Sequence, residues 1–275
     1  MSGLELAIAA SVMGAVQGLT EFLPVSSTAH LTVLPRLMGW DHPLLNSLSF
    51  NVILHLGTLI ALLAVQGREW IDLVRALAEP GSPRGRFVYG LALATLPALL
   101  AGASLSHAIE ARMRGTLSVA VWLALGAVLL AAADLRAGRD GRRGRAAGSL
   151  SLREALLAGC AQTLALLPGF SRSGITITAG LLLGLSRREA ARYSFLLSAP
   201  VIAAACIWDA RKLTMVPAAD LLPLAAGAAC AGLAGAAAIR WLLSAVPRLG
   251  YTPFAVYRVL LAAGLSFAAL KGLIS

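Results

Sequence analysis

Long apolar runs separated by short polar segments make up most of the chain. Runs of roughly twenty residues, almost free of charge, lie at 56–66 with its lead-in, 87–106, 115–133, 221–239 and 254–270. A helix of that length crosses the roughly 30 Å of hydrocarbon in a bilayer. The runs lack the polar face at helical period that a soluble helical protein presents to water. The pattern therefore predicts an all-α polytopic membrane protein.

The apolar stretches on either side of the segment PGFSRSG (168–174) are too short to cross a membrane. Residues 154–167 reach about 21 Å as a helix, and residues 174–185 are similarly few. Arginines follow immediately at 187, 188 and 192. If basic residues stay in the cytoplasm, the chain enters and leaves the membrane on the same side. We therefore predict a re-entrant helical hairpin over 154–186, with PGFSRSG at its tip.

The first half repeats this pattern. Residues 4–23 form a helix that ends at Pro24, and a short helix follows to about Met38. The segments VQGLTEFLPVSSTAHL and AQTLALLPGFSRSGIT share a glutamine, a leucine–proline break and a serine pair, with an offset of one residue. Two halves of opposed topology, each with a broken helix, form an inverted repeat. The alternative is a pair of unrelated proline kinks.

Two arginine-rich loops give the orientation and the division of the chain. Residues 67–86 and 136–153 are separated by two spans, so both lie on one side, which the positive-inside rule makes the cytoplasm. The first hairpin then enters from outside and the second from inside. We expect a first repeat over 1–135 with a hairpin at 4–38, a basic cytoplasmic linker over 136–153, and a second repeat over 154–275. Each repeat has three full spans after its hairpin, about six in all, near 47–66, 87–107, 115–134, 193–209, 219–239 and 253–272.

Composition agrees with a membrane location. The 275 residues are 58% hydrophobic and 13% charged, with a mean hydropathy of +0.79. A net charge of +10 could indicate nucleic-acid binding. The basic residues gather in loops, however, as expected of a membrane protein, and some of them suit anionic lipid. We therefore expect membrane lipids as partners and no nucleic acid.

The two hairpin tips are predicted to meet around an anion site. Irregular backbone at membrane depth is tolerated only if it is buried in protein or lines a wet cavity. A helix begins at each tip, at Ser26-Ser27 in the first half and at Ser171 to Ser173 in the second, and a helix N-terminus binds anions through free N–H groups. The forked donors of Arg172 match the oxygens of a phosphate. The alternative role for Arg172 is a structural salt bridge to Glu21, and the two roles are compatible.

The first broken segment adds groups suited to phosphoryl transfer. Gln17 and Glu21 share one helix face, and Ser27 and His30 share a face of the next helix. A hydroxyl nucleophile, a base, an acid and a cation are what phosphoryl transfer needs. A lone histidine in an apolar helix is commonly a core residue, but the neighbouring serine favours a functional role for His30.

The motifs QGLTEFLPVSSTAHL and LPGFSRSGIT resemble those of the undecaprenyl-pyrophosphate phosphatase family, also called the bacitracin-resistance proteins. The similarity covers essentially the whole chain, including YSFLLSAP at 193–200. It implies a multi-pass enzyme of the bacterial plasma (inner) membrane. Such an enzyme hydrolyses undecaprenyl pyrophosphate to undecaprenyl phosphate and inorganic phosphate, recycling the lipid carrier for peptidoglycan synthesis. A polyprenyl pyrophosphate lipid is then the substrate, and a divalent metal, Mg²⁺ or Ca²⁺, is the cofactor. Whether the protein forms a homodimer is left undecided by the sequence.

The motifs and the resemblance together assign roles to individual residues. The candidate catalytic residues are Glu21, Ser27, His30 and Arg172. The candidate phosphate-binding residues are Ser26, Gly169, Ser171, Ser173 and Thr176. Glu21 and Gln17 are the candidate metal ligands, although Gln17 stands where many family members have glutamate. Asn51 and His55 also depart from the glutamate or glutamine expected there.

Three questions stay open from the sequence. Either Ser27 or an activated water is the nucleophile. The site is expected to open to the outer side, because the first hairpin enters from there. The rival function is a lipid-phosphate transporter or flippase, since inverted repeats with re-entrant tips are common in transporters. The Glu21, Ser27 and His30 set favours an enzyme, because transport needs no nucleophile.

Overall fold

The computed structural model describes residues 1–113, 115–139, 144–210 and 217–272, and within these ranges the chain is helical with no β-strand. Eleven α-helices lie in the described part: α1 Gly3–Phe22, α2 Ser27–Met38, α3 Leu48–Val65, α4 Gly67–Ala76, α5 Pro83–Met113, α6 Thr116–Arg139, α7 Leu152–Gln162, α8 Arg172–Leu182, α9 Arg187–Asp209, α10 Leu221–Leu249 and α11 Thr252–Leu270.

Seven of the described helices, α1, α3, α5, α6, α9, α10 and α11, are long and apolar enough to cross a membrane. The prediction of an all-α polytopic membrane protein is confirmed. The number exceeds the expected six because α1, the first leg of the first hairpin, has 20 residues and meets the length requirement by itself. The other hairpin legs are too short to span, with 12 residues in α2 and 11 each in α7 and α8.

Helix α4 lies in a segment that the sequence analysis assigned to a basic loop. Glu69 stands in its first turn and Arg75 in its last, which suits the helix dipole. Leu73 is buried against the bundle, whereas Ile71 and Val74 are exposed. The arginines masked this amphipathic pattern, so the loop prediction is wrong for these residues.

The second hairpin returns to the end of the bundle from which it starts. The Arg145 amide, ahead of α7, donates to the Gly184 carbonyl just after α8 at 2.8 Å. The Arg145 guanidinium also donates to Glu154 in the first turn of α7 at 2.6 Å. The start of α7 and the end of α8 are therefore adjacent, as a re-entrant hairpin requires.

The same end of the bundle collects the neighbouring helix termini. Asp134, near the end of α6, accepts from Arg187 Nε at 2.7 Å and from the backbone amides of Tyr251 and Thr252 at 2.8 and 3.1 Å. Arg192 pairs with Glu69 of α4. Helices α4, α6, α9 and α11 thus all have one terminus here, in agreement with alternating spans.

The first hairpin starts at the opposite end. Leu6 of α1 packs in one apolar cluster with Leu44 and Leu45, which lie just before α3, and with Phe50 in its first turn. Helix α3 then runs toward the end where α4 meets Arg192. The two hairpins therefore enter the bundle from opposite ends.

Helix packing is consistent with the predicted inverted repeat. Helix α1 packs on α10 and α7 on α5, while α3 pairs with α9 and α6 with α11. A two-fold relation that exchanges α1, α2, α3, α5 and α6 with α7, α8, α9, α10 and α11 gives this pattern. Helices α1 and α7 even begin with the same capping box, at Ser2 and Ser151. The division at 135 and 154 stays a prediction: residues 136–139 continue α6, and 140–143 lie outside the described residues.

Candidate active site

The breaks in the two hairpins lie against each other. Ser173 Oγ donates to the Leu23 carbonyl at 3.1 Å, so the start of α8 contacts the end of α1. Ser26 and Ser171, the residues that precede α2 and α8, have φ angles of 75° and 69° and are the only described non-glycine residues with positive φ. Such backbone is costly for an L-residue and is often found at functional sites.

Glu21 is the centre of the polar contacts between the tips, and its side chain is only 6% exposed. Oε2 accepts from Ser27 Oγ at 2.7 Å and from Gln17 Nε2 at 3.1 Å. Oε1 accepts from Arg172 Nη2 at 2.6 Å. His55 Nε2 lies 3.7 Å from Oε2. A serine hydroxyl that donates to a buried carboxylate is the arrangement of a nucleophile with its base.

Arg172 uses only part of its guanidinium in the contact with Glu21. Its Nη1 atom is buried and has no hydrogen-bond partner in the part of the chain that the structure describes. The proposed salt bridge to Glu21 is therefore present, and donor capacity remains beside the cavity. The role of Arg172 as a phosphate clamp stays a prediction that this geometry favours.

A cavity of about 210 Å³ lies between the two tips. Apolar side chains from α5 and α9 close part of its wall, including Ala98, Val201 and Ile202. Its polar lining comes from both hairpins and α3: Thr20, Glu21, Ser26, Ser27, Thr28, His55, Gln162, Ser171, Arg172 and Ser173. The cavity thus combines hydroxyl groups and one guanidinium, which can bind a phosphate group, with one carboxylate, which can act as a base.

Most predicted site residues line this cavity, but Gln17 and Thr176 do not. Glu21, Ser26, Ser27, Gly169, Ser171, Arg172 and Ser173 are at the wall. Gln17 lies behind Glu21 and orients it. The Thr176 hydroxyl donates to the Arg172 carbonyl at 2.8 Å and lies 2.6 Å from Ser194 Oγ. The structure therefore places Thr176 as a support for the first turn of α8.

His30 also lies away from the cavity wall. Its Nδ1 lies 2.8 Å from the Ser26 carbonyl, and its Nε2 lies 2.6 Å from Tyr257 Oη on α11. Because a carbonyl can only accept, Nδ1–H donates to the Ser26 carbonyl, and in a neutral ring Nε2 accepts from the Tyr257 hydroxyl. His30 thus holds the strained carbonyl that precedes Ser27, and its catalytic assignment stays a prediction.

Arg258 of α11, which is not among the residues predicted from the sequence motifs, is completely buried. Its Nη2 donates to the Phe170 carbonyl at 2.7 Å and to the Gly169 carbonyl at 3.5 Å, so it holds the second tip. A Cβ on Gly126 or Gly174 would overlap this guanidinium, so both glycines make room for it. An arginine within the apolar run 254–270 is a signal that could have revealed it.

The described residues offer few protein ligands for a divalent metal at this site. No group of three or more His, Cys, Asp or Glu side chains in this part of the chain is placed to hold one. Gln17 Oε1 is buried without a partner there and lies next to Glu21. One carboxylate and one amide oxygen fit a hard cation only if phosphate oxygens complete its coordination.

Comparison with known proteins gives a consistent result over almost the whole chain. A family model described as bacitracin resistance protein BacA matches residues 10–264. An undecaprenyl-diphosphatase from Geobacter sulfurreducens is 44% identical over 260 residues, covering 91% of this chain and 94% of the relative. Undecaprenyl-diphosphatases from Moorella thermoacetica and Nitrosococcus oceani are 42% and 44% identical, covering 92% and 90% of this chain and 94% and 93% of their own lengths.

Proposed function

The chain belongs to the bacitracin resistance protein BacA family, and on that premise we propose that it is an integral membrane phosphatase acting on undecaprenyl diphosphate. The products are undecaprenyl phosphate and inorganic phosphate, so the reaction recycles the lipid carrier for cell-wall synthesis. The observation that carries the proposal is the hydrogen bond from Ser27 to Glu21 at 2.7 Å, beside the unused donor of Arg172.

The substrate's terminal phosphate binds between the tips. Ser27 and Arg172, the first residues of α2 and α8, line the cavity, so the two helix N-termini and the unpaired Arg172 Nη1 would bind its oxygens. The polyprenyl chain then extends between helices into lipid. The carbonyl contacts of His30 and Arg258 hold the two tips in place for this interaction.

In the proposed reaction the Ser27 hydroxyl attacks the terminal phosphorus. Its proton passes to Glu21, the bond from phosphorus to the bridging oxygen breaks, and undecaprenyl phosphate leaves. Arg172 stabilises the charge that develops on the phosphoryl oxygens. Water then hydrolyses the phosphoserine to release inorganic phosphate and restore Ser27. The alternative is direct attack by a water molecule that Glu21 deprotonates.

A divalent cation is a further proposal, supported by the family resemblance and the free Gln17 oxygen. Glu21 would hold it together with oxygens of the substrate, and Gln17, behind Glu21, would orient that carboxylate or a metal-bound water. When bound, it would neutralise part of the diphosphate's charge. The small number of protein ligands suggests that the ion arrives with the lipid.

We also propose that the enzyme resides in the bacterial plasma membrane and that the site opens to its outer side. The α9 residues at the cavity, Val201, Ile202 and Ala205, lie near the Asp209 end of that helix. The other end, at Arg187, lies with the basic segments that the positive-inside rule places in the cytoplasm.

A lipid-phosphate transporter is the competing function, favoured by two tips from opposed hairpins around one anion site. Phosphate release from undecaprenyl diphosphate by the purified protein in detergent separates the two. An enzyme releases phosphate without a membrane to cross, whereas a transporter releases none. Ser27→Ala and Glu21→Gln are the matched controls. A contaminating phosphatase would release phosphate from these preparations as well, whereas activity of the protein itself would be lost.

A further inference from the structure

Gln162, at the end of α7, is buried beside the cavity with an unused side chain. The residue is 1% exposed, and both Oε1 and Nε2 are without a hydrogen-bond partner in the described part of the chain. It lines the same cavity as Ser27 and Arg172. A buried amide that leaves both polar atoms unpaired destabilises the fold, so it is expected where a bound water or a ligand completes its hydrogen bonds.

The other buried glutamines do not share this arrangement. Gln17 donates Nε2 to Glu21 and leaves only Oε1 unpaired. Gln66, at the end of α3, has an unpaired Oε1 but does not line the cavity. Gln162 is thus the described buried glutamine that lines the cavity and leaves both a donor and an acceptor unpaired.

The position of Gln162 in the repeat agrees with a role at the site. Gln162 precedes the positive-φ Ser171 by nine residues, and Gln17 precedes the positive-φ Ser26 by nine. Each hairpin therefore brings one glutamine to the tips from its first leg. In the first hairpin Glu21 takes up the amide donor, whereas the corresponding residue of the second hairpin is Leu166, which cannot accept a hydrogen bond.

We propose that Gln162 is a further substrate-contacting residue of the phosphatase reaction. Its Nε2–H donates to an oxygen of the terminal phosphate, and its Oε1 accepts a hydrogen bond from the water that attacks phosphorus. A glutamine that orients a water for attack on a phosphoryl group is well suited to this task, because it binds both partners without changing charge. The inference rests on the proposed function, since it concerns the same site.

The test uses a substitution that acts in opposite directions on stability and on activity. Gln162→Leu has similar size but removes both polar atoms, so it relieves the unsatisfied burial. We expect its thermal unfolding midpoint to equal or exceed that of the wild type. We expect kcat/KM for undecaprenyl diphosphate in detergent to fall about tenfold or more. The matched control Gln66→Leu is expected to stay within about twofold of the wild type.

A second variant and a second measurement keep the result interpretable. Gln162→Glu keeps an acceptor but replaces the donor with a negative charge, so its kcat/KM should fall further. Inorganic pyrophosphate should raise the unfolding midpoint of the wild type and raise it less in Gln162→Leu. If wild type releases no phosphate but this difference persists, the proposed function fails and the binding role stands. Turnover of either Gln162 variant within about twofold of the wild type would overturn the inference.

Discussion

Arg172 Nη2 lies 2.6 Å from Glu21 Oε1, and this ion pair joins the second hairpin's tip to the last turn of α1. The two side chains come from opposite halves of the chain, so neither half contains the site alone. The pair also leaves Arg172 Nη1 without a hydrogen-bond partner among the described residues. The same contact therefore joins the two halves and places Arg172 at the phosphate site.

Arg172→Lys should lose most activity while the protein still folds. A lysine ammonium can reach Glu21 but lacks the fork that contacts Glu21 and a phosphate together. A hydrogen bond to a charged group contributes about 1.5–3 kcal/mol, so kcat/KM should fall roughly 10- to 100-fold. The initial rate of phosphate release, measured against substrate concentration, gives kcat/KM for both proteins. Near-normal turnover by the lysine variant would show that Arg172 is only a structural partner of Glu21.

Ser27→Ala should abolish turnover if the serine is the nucleophile. The expected loss is about three orders of magnitude, which is close to 4 kcal/mol of barrier, with binding retained. Mass spectrometry of acid-quenched wild type should detect phosphate on Ser27, and Glu21→Gln should reduce its formation.

His30→Ala provides the comparison for Ser27→Ala and Glu21→Gln. Because His30 contacts the Ser26 carbonyl and not the cavity, its loss should be smaller than that of Ser27→Ala. Substantial turnover by Ser27→Ala would instead make Ser27 a phosphate-binding residue and water the nucleophile.

Arg258→Met should impair catalysis more than stability. The substitution removes the donor from the Phe170 carbonyl but also removes a buried guanidinium whose Nε and Nη1 lack partners among the described residues. These effects on the unfolding free energy oppose each other. Displacement of the second tip should still lower kcat/KM by about tenfold or more. Rescue by Arg258→Lys would support a positioning role, whereas unchanged kcat/KM in the methionine variant would exclude one.

Some of these relationships follow from the sequence and others do not. The proline breaks, serine pairs and arginine-rich loops are local signals, and they indicate two opposed hairpins. His55, Gln162 and Arg258 reach the site from α3, α7 and α11, so their roles depend on packing between distant segments. His30 illustrates the same limit: its spacing from Ser27 predicts a shared face, yet its ring bonds the carbonyl of Ser26 and Tyr257 of α11.

Ser26→Gly should stabilise the protein, because glycine adopts positive φ without the cost that serine incurs. Ser26 makes no side-chain capping bond, so the expected gain is about 1 kcal/mol. Ser171→Gly should gain less, since the Ser171 hydroxyl accepts from the Gly174 amide at 3.2 Å. The thermal unfolding midpoints of the Ser26→Gly and Ser171→Gly variants, each compared with the wild type, measure the two changes in stability. Equal destabilisation by both substitutions would show that the hydroxyls, and not the backbone strain, dominate the tips.

Single cysteines should establish the orientation in the membrane. Gly115 and Gly148 are both exposed, and a Cβ at either position meets no atom within 4 Å, so cysteine is tolerated at both. In a background lacking Cys160, Cys206 and Cys230, Gly148→Cys and Ala78→Cys should resist a membrane-impermeant thiol reagent in intact cells. Gly115→Cys should react, because it lies between the ends of α5 and α6 that point away from the basic segments. The reverse labelling would invert the topology and place the entry of the first hairpin, with Ser27, on the cytoplasmic side.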